Sequence, residues 1–491
     1  MESEDRSLHV GSCGCSRRTF LAATGSVVLS QGLLSAVALA NPGNAEGEKA
    51  ISQCGPASRY VPRVKAAFVR REGDYGMRWP GAIYDGEAAL EMYRQKIEET
   101  AQKLGMEVQM SPTPIYSLEE GQKWIAESEN EKADGLLVVL LDRQEHAWPT
   151  ATKAVESPLP AVIFAPIGAA FTTNTGQISK RDGAFICSTD DFSQVAYGMK
   201  MLAAGAKLRE TRFVVLRGDE RKEETAPHLG TTLRYVPASH FLDLYNQTPV
   251  TEEIDRIADA YIAGAEQVAG PSRQDVVNGV KSFVVARTIL EQEEADGISM
   301  DCLGALGKTT VSLPCIAWSR MLDCGIPAAC EADVGACVTH ALVQYLFDRP
   351  GFQQDPVADT ANECLIGAHC TCPIHLNGFG QPAEPYHLSH HHGKRDAVPV
   401  PHWKPGQRAT VVDILLKGKD QPPEMIVSAG EVVGNISVPP AGGCVVSVSL
   451  KLDGVTELLD YPGFHQIFFY GDYKKELKNY CRLFGIEARV V

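Results

Sequence analysis

The sequence predicts an α/β protein: two doubly wound units of alternating strand and helix, followed by a β-rich C-terminal part. Three observations predict it. Gly135 to Leu141 and Ala161 to Phe164 are short, continuous apolar runs bounded by polar residues, as parallel strands buried on both faces require. Segments with helical spacing separate such runs, for example Ala88 to Leu104, where Leu90, Tyr93 and Ile97 share one face. Beyond Pro401 the helical spacing gives way to β-rich runs separated by Gly, Pro and Asp turns.

The 491 residues allow about three domains. Forty-six basic against 61 acidic residues leave a net charge of −15, which argues against nucleic acid or an anionic membrane surface as partner.

The N-terminus reads as a targeting segment. Ser16-Arg17-Arg18-Thr19-Phe20-Leu21 is a twin-arginine pattern, followed by a mildly apolar run from Leu21 to Ala40. Ala38-Leu39-Ala40 supplies a small-x-small cleavage site, so export to the periplasm with cleavage near residue 40 is expected; a retained signal anchor is the rival reading. Residues 41–60 are rich in Asn, Gly, Ser and Glu and read as a flexible linker.

The first α/β domain is expected over 61–170, starting with the strand Val64 to Val69. A second, over 171–310, alternates a helix at Phe192 to Leu208, a strand at Arg212 to Leu216, helices at Glu252 to Val268 and Val276 to Glu293, and a short strand at Gly297 to Ser299. Ligands of such sheets lie beyond the carboxyl ends of their strands. Arg70 stands at one such end, where it would touch substrate or a neighbouring subunit, or sit in a solvated loop. Gly307-Lys308-Thr309 has no glycine at 302, where a phosphate loop needs one, and nucleotide chemistry is not expected.

Fourteen cysteines include Cys13 and Cys15 in the leader, and most of the rest lie between Cys302 and Cys481. Cys370-Thr371-Cys372 has neither redox nor zinc-ribbon spacing, and most of these thiols read as small buried residues. The run from His387 to His392 reads as a polar loop, by composition a metal-binding surface tract. After it, Ala409 to Leu416, Met425 to Ser428 and Cys444 to Leu452 are expected strands, and Tyr473 to Phe484 a closing helix.

Between the α/β units and these strands lies the stretch with the strongest chemical signal. Glu331 ends a run of small residues, Asp355 follows, then His369-Cys370, and His465 stands far downstream in Gly463-Phe464-His465-Gln466. Two carboxylates and one or two imidazoles form an oxygen/nitrogen ligand set for Mn²⁺ or a similar divalent ion. A charged residue at a helix start is the ordinary alternative for Glu331, and Asp333, Gly335 and Ala336 would suit that too.

Pro314, Cys315, Ser319, Asp323, Gly325, Ile326, Pro327, Ala328, Cys330, Glu331 and Asp333 match a P-C-x-x-x-S…D-x-G-I-P-A-x-C-E-x-D segment, and Asp355 and His369-Cys370 stand where further signatures follow. In these residues the chain resembles the L-fucose isomerase and L-arabinose isomerase superfamily, over roughly residues 297–491. The aspartate of that family often opens D-W-N-N, whereas Pro356, Val357 and Ala358 follow Asp355 here.

The resemblance implies a C-terminal domain, 311–491, of α+β type with a small β-barrel. It implies a Mn²⁺-dependent aldose–ketose isomerase acting by an enediol mechanism on L-fucose, L-arabinose or a related sugar. Glu331, Asp355 and His465 would be metal ligands, and Glu331 and Asp355 the catalytic acid/base pair. His369 would be a fourth ligand or stand just behind the ligands, and Asp333 would orient one of them. His390 and His391, in the polar segment, would approach the sugar, and the chain would be a homo-oligomer with sites near subunit interfaces. A non-catalytic, exported carbohydrate-binding protein on the same scaffold is the alternative.

Overall fold

A computed structural model of the chain describes residues 53–73, 75–77, 84–143, 145–391, 395–437 and 444–491. The twin-arginine leader, most of the expected linker and His392 lie outside the described residues. No helix among the described residues is long and apolar enough to cross a membrane. The end of the expected linker is pinned down. Pro56–Arg59 forms a short helix whose Ala57 and Ser58 amides donate to the Asp296 carboxylate at 3.2 and 3.0 Å, satisfying donors that a helix start leaves over.

Two open sheets carry the α/β part. The first is fully parallel in the order Glu107–Met110, Arg63–Val69, Gly135–Leu140, Ala161–Ala165, Ala184–Ser188. Its central strands are entirely buried, which is why their sequences run apolar without alternation. The fifth strand extends this sheet past residue 170: the short run Ala-Phe-Ile-Cys pairs with the exposed edge of Ala161–Ala165 before the helix Phe192–Glu210 begins.

The second sheet has the order Ala328–Cys330, Gly297–Met300, Arg212–Leu216, Thr232–Val236, Lys222–Thr225. Only its last strand runs antiparallel, and that edge is fully exposed and charged, which discourages pairing with another chain. A break at 311 therefore cuts this sheet, because Ala328–Cys330 reaches it through the helix Cys315–Asp323.

Two local expectations change. The helix from Glu252 stops at Gly264, and Gln267–Ala269 becomes a strand. Its partner is Tyr386–His391, the segment read as a polar loop, which also pairs antiparallel with Arg395–Pro401. Histidine composition concealed the pattern: Tyr386, Leu388 and His391 turn inward along this strand.

The C-terminal part is a closed, six-stranded antiparallel barrel. Around it run Arg408–Leu415, Gln466–Tyr470, Phe352–Asp359, Cys364–His369, Val446–Leu452 and Glu424–Asn435, and the last closes on the first from Arg408↔Glu431 to Leu415↔Glu424. The barrel thus begins well before Pro401, and two of its earliest strands carry Asp355 and His369. Alternation divides its residues. Val411, Val448, Leu450 and Phe468 join one core cluster, while Val412, Ile414, Ile467 and Phe469 join the cluster around the helix Val334–Phe347. That helix is buried on nearly every side. Its Thr339 hydroxyl accepts from Ile414 N at 3.0 Å, tying it to the barrel.

Gly367 marks a place where the barrel leaves no room. A Cβ there would stand 2.5 Å from Phe468 Cε2 and 2.8 Å from Gln354 Cγ. Gly367→Val is expected to lower unfolding free energy by about 1–3 kcal/mol through overpacking, read from the denaturant midpoint of the whole chain.

Candidate metal centre

The second sheet and the barrel meet at the carboxyl end of Ala328–Cys330, the position where open α/β sheets present ligands. Gln353 holds the junction: its Oε1 accepts from Cys330 N at 2.8 Å. The chain then turns sharply, with Glu331 and Ala332 both left-handed at φ 60° and 55°. Such conformations are costly for side-chain-bearing residues and cluster at functional sites. Asp333 follows and caps the helix Val334–Phe347, its Oδ1 accepting from Ala336 N at 2.9 Å.

Asp355 projects from the barrel strand that pairs Gln354 with Gln466, so the next register position places His465 opposite it. His465 also has a positive φ, 55°. Its Nδ1 lies 2.9 Å from Asp333 Oδ2, and its Nε2 lies 3.2 Å from Asp355 Oδ1 and 3.7 Å from Glu331 Oε2. His369 closes the group, Nε2 at 3.8 Å from Glu331 Oε1 and ring centroid 5.6 Å from that of His465. Glu331, His369 and His465 each offer a donor atom within 4.8 Å of the others. Glu331, with 38% of its side chain exposed, opens the group to solvent.

The donor set fits a divalent cation. Asp355 Oδ1 and His465 Nε2 are buried and make no well-directed hydrogen bond in spite of their 3.2 Å separation, the state of donor atoms that converge on a third partner. His465 shows the usual arrangement of a metal-binding imidazole, one nitrogen committed to a carboxylate and the other facing the ligand group.

Charge points the same way. Burial alone would lower the His465 pKa, but the hydrogen bond to Asp333 and the nearby Asp355 carboxylate outweigh it and push it up to about 10. Glu331 is raised, first by burial and then by Asp355, Asp301 and Asp333, against the pull of His465. Burial also raises Asp333, but hydrogen bonds from His465 and from the helix start win, and its pKa is lowered. Behind the group, burial and the neighbouring Asp333 push Asp413 up to about 7. Excess carboxylate in a half-buried group is a setting that a positive ion would suit.

The structure thus brings together Glu331, Asp355, His369, His465 and Asp333. Three other expected residues stand apart. The Arg70 guanidinium is taken up inside the first domain by Glu87 Oε2 at 2.5 Å and Gly73 O at 2.8 Å. His390 bonds Asp396 O at 3.0 Å. His391 is buried against Cys370, its Nε2 3.0 Å from the sulfur, and with Cys315 makes a second cluster of possible metal donors. Sequence reading missed that cluster because its members come from three distant elements and show no zinc spacing. His340, fully buried on the helix behind His369 with both ring nitrogens unbonded, was missed as well; burial lowers its pKa to about 3. A surface pocket of 610 Å³ lined by Glu384, His402, Trp403 and Asn435 includes none of these donors.

No family model matches the chain, and no curated protein matches it. Among solved structures, it is similar to an ABC transporter solute-binding protein from Burkholderia multivorans, determined with an unknown ligand built as α-D-erythrofuranose. Identity is 12% and the TM-score 0.18, with 59% of this chain and 95% of that chain covered. A TM-score of this size carries no inference about fold or function.

Two substitutions test the geometry. Asp333→Asn keeps an oxygen to cap the helix but offers an amide to His465 Nδ1, which turns the imidazole's proton toward the ligand side. Mn²⁺ affinity by calorimetry should fall about 10–100-fold, with little change in unfolding midpoint. Asp413 is protonated in the fold and ionised in the unfolded chain between about pH 4 and its raised pKa. Its contribution to stability is therefore full below the unfolded value and lost as pH rises through about 7. Asp413→Asn, unfolded in chelator, should gain stability over the parent chain at pH 8 and show little gain at pH 4.

Proposed function

We propose that the chain is a divalent-metal-dependent sugar isomerase of the aldose–ketose type, with its centre at Glu331, Asp355, His369 and His465. The observation that carries the reading is the cluster of Glu331, His369 and His465, with Asp355 against His465 Nε2 and Asp333 fixing His465 Nδ1. The resemblance to L-fucose and L-arabinose isomerases supplies the sugar and the choice of Mn²⁺. The leader supports export by the twin-arginine route.

The reaction needs a proton removed from the carbon beside a carbonyl and returned to its neighbour, while charge on two adjacent oxygens is held. A bound divalent ion supplies Lewis-acid stabilisation of those oxygens. Glu331, exposed enough to meet substrate and raised in pKa by its surroundings, takes and returns the proton. Asp355, beside His465, carries the matching proton between the two oxygens, from the hydroxyl that becomes the carbonyl to the carbonyl oxygen that becomes the hydroxyl. His465 stays fixed by Asp333, so the carboxylates keep their places as the proton moves. Burial of His369 and His465 limits water on the barrel side.

Glu331→Gln tests this reading. Gln keeps the volume and one oxygen but cannot exchange a proton, so turnover of the preferred aldose should fall by about two to four orders of magnitude. The unfolding midpoint should remain, because Glu331 is partly exposed. One observation favours the non-catalytic, carbohydrate-binding alternative: after Asp355 the strand presents Val357, 50% exposed, in place of amide side chains that could handle a sugar. Failure of the unmutated, Mn²⁺-loaded protein to convert any of a broad aldose panel, with tight binding of one sugar, would replace the isomerase reading with that one.

A further inference from the structure

Immediately behind His369 the chain assembles a second, chemically different set of donors. Cys315 opens the helix Cys315–Asp323, Cys370 follows the barrel strand Cys364–His369, and His391 ends the hairpin strand Tyr386–His391. Their donor atoms all lie within 4.8 Å of one another, and the residues are 4%, 8% and 2% exposed. His391 Nε2 is 3.0 Å from Cys370 Sγ, and the half-buried Cys444 also bonds the Cys370 thiol. Cys370 Sγ also lies 3.9 Å from His369 Nδ1, so this cluster and the Glu331 group sit on opposite edges of one imidazole.

We propose that Cys315, Cys370 and His391 form a Zn²⁺ site, with Cys444 in the fourth position, separate from the Glu331 centre. The ligand types are those of tetrahedral Cys₃His zinc sites. With metal–sulfur and metal–nitrogen bonds of about 2.3 and 2.0 Å, the edges of such a tetrahedron are roughly 3.5–3.8 Å. The present spread of Cys315, Cys370 and His391, from 3.0 Å to under 4.8 Å, brackets that range, and Cys444, bonded to Cys370 but outside the three-residue cluster, would swing in to complete it. Ordinary packing accounts for Cys187, Cys337 and Cys481, small side chains buried among apolar neighbours. It does not account for a buried histidine aimed at two thiols contributed by separate elements.

Softness keeps the two centres apart: thiolates select Zn²⁺, whereas the carboxylate-rich Glu331 group suits Mn²⁺. An ion at the thiolate site would tie the helix, the barrel and the hairpin together directly behind His369. The inference does not depend on the isomerase reading.

Cobalt reports on it without reference to activity. The full chain, reduced and stripped of metal, is titrated with Co²⁺. A thiolate-to-cobalt charge-transfer band should grow to one equivalent, and added Zn²⁺ should bleach it. The band should survive in Glu331→Gln and in Cys187→Ser, and vanish in the Cys315→Ser/Cys370→Ser double variant. Should the double variant not fold, alkylation of the unmutated protein decides: Zn²⁺ should block modification of Cys315 and Cys370, and Mn²⁺ should not. Absence of the band in the unmutated protein, its persistence in a folded double variant, or unprotected alkylation in the presence of Zn²⁺ would each overturn the proposal. Loss of sugar turnover in Glu331→Gln with the band intact leaves the thiolate site standing, and the reverse result separates the two equally well.

Discussion

One carboxylate holds two parts of the molecule in register. Asp333 gives one oxygen to the first turn of the helix Val334–Phe347 and the other to the ring of His465. The first bond satisfies a backbone amide that would otherwise be orphaned at a buried helix start. The second fixes which nitrogen of His465 faces Glu331 and Asp355. Helix position and ligand orientation are thus set by the same side chain. The helix is in turn wedged between the second sheet and the barrel, so the imidazole inherits its placement from a core shared by both.

Strain at the site is held by that packing. Glu331, Ala332 and His465 each occupy the left-handed region at a cost of about 1 kcal/mol or more apiece. The conformations persist because their flanks are fixed: Gln353 grips Cys330, Asp333 caps the helix, and Gln466 pairs with Gln354 beside His465. The same flanks explain why the matched motif extends beyond the ligands. Ser319 donates to Cys372 O at 2.7 Å, and Asp323 accepts from the amides of Ile374 and His375, so both anchor the segment that follows His369.

The architecture was legible where burial leaves a one-dimensional trace. Parallel strands such as Gly135–Leu140, covered on both faces, stand out as unbroken apolar runs. The long strand Glu424–Asn435 was read only over its first part, because beyond Ser428 it carries glycines and a bulge and faces solvent at every second residue near its end. The histidine run misled because composition was weighed above alternation, and the strand is stabilised by partners more than a hundred residues upstream. Glu331, Asp355 and His465 were found through motif resemblance; nothing in their spacing alone shows that a barrel edge and a sheet end will meet. Cys315, Cys370 and His391 each stand in a stretch the sequence singles out, but nothing there joins them, since only the closed fold makes them neighbours.

The helix Val334–Phe347 has a consequence for how this chain is divided. A sequence boundary near 311 invites the view that the barrel-bearing part is a module that evolution or a cloning vector could transplant. Yet the strand Ala328–Cys330, on the C-terminal side of that boundary, completes the sheet built by the preceding residues, and the next helix is lined by both partners. Cutting there would leave one fragment with an open sheet edge and the other with a naked apolar helix. Inheritance of the C-terminal part should therefore carry the second α/β layer with it, together with the helix Phe192–Glu210 that packs on Val334–Phe347, so the smallest transferable unit begins no later than Phe192.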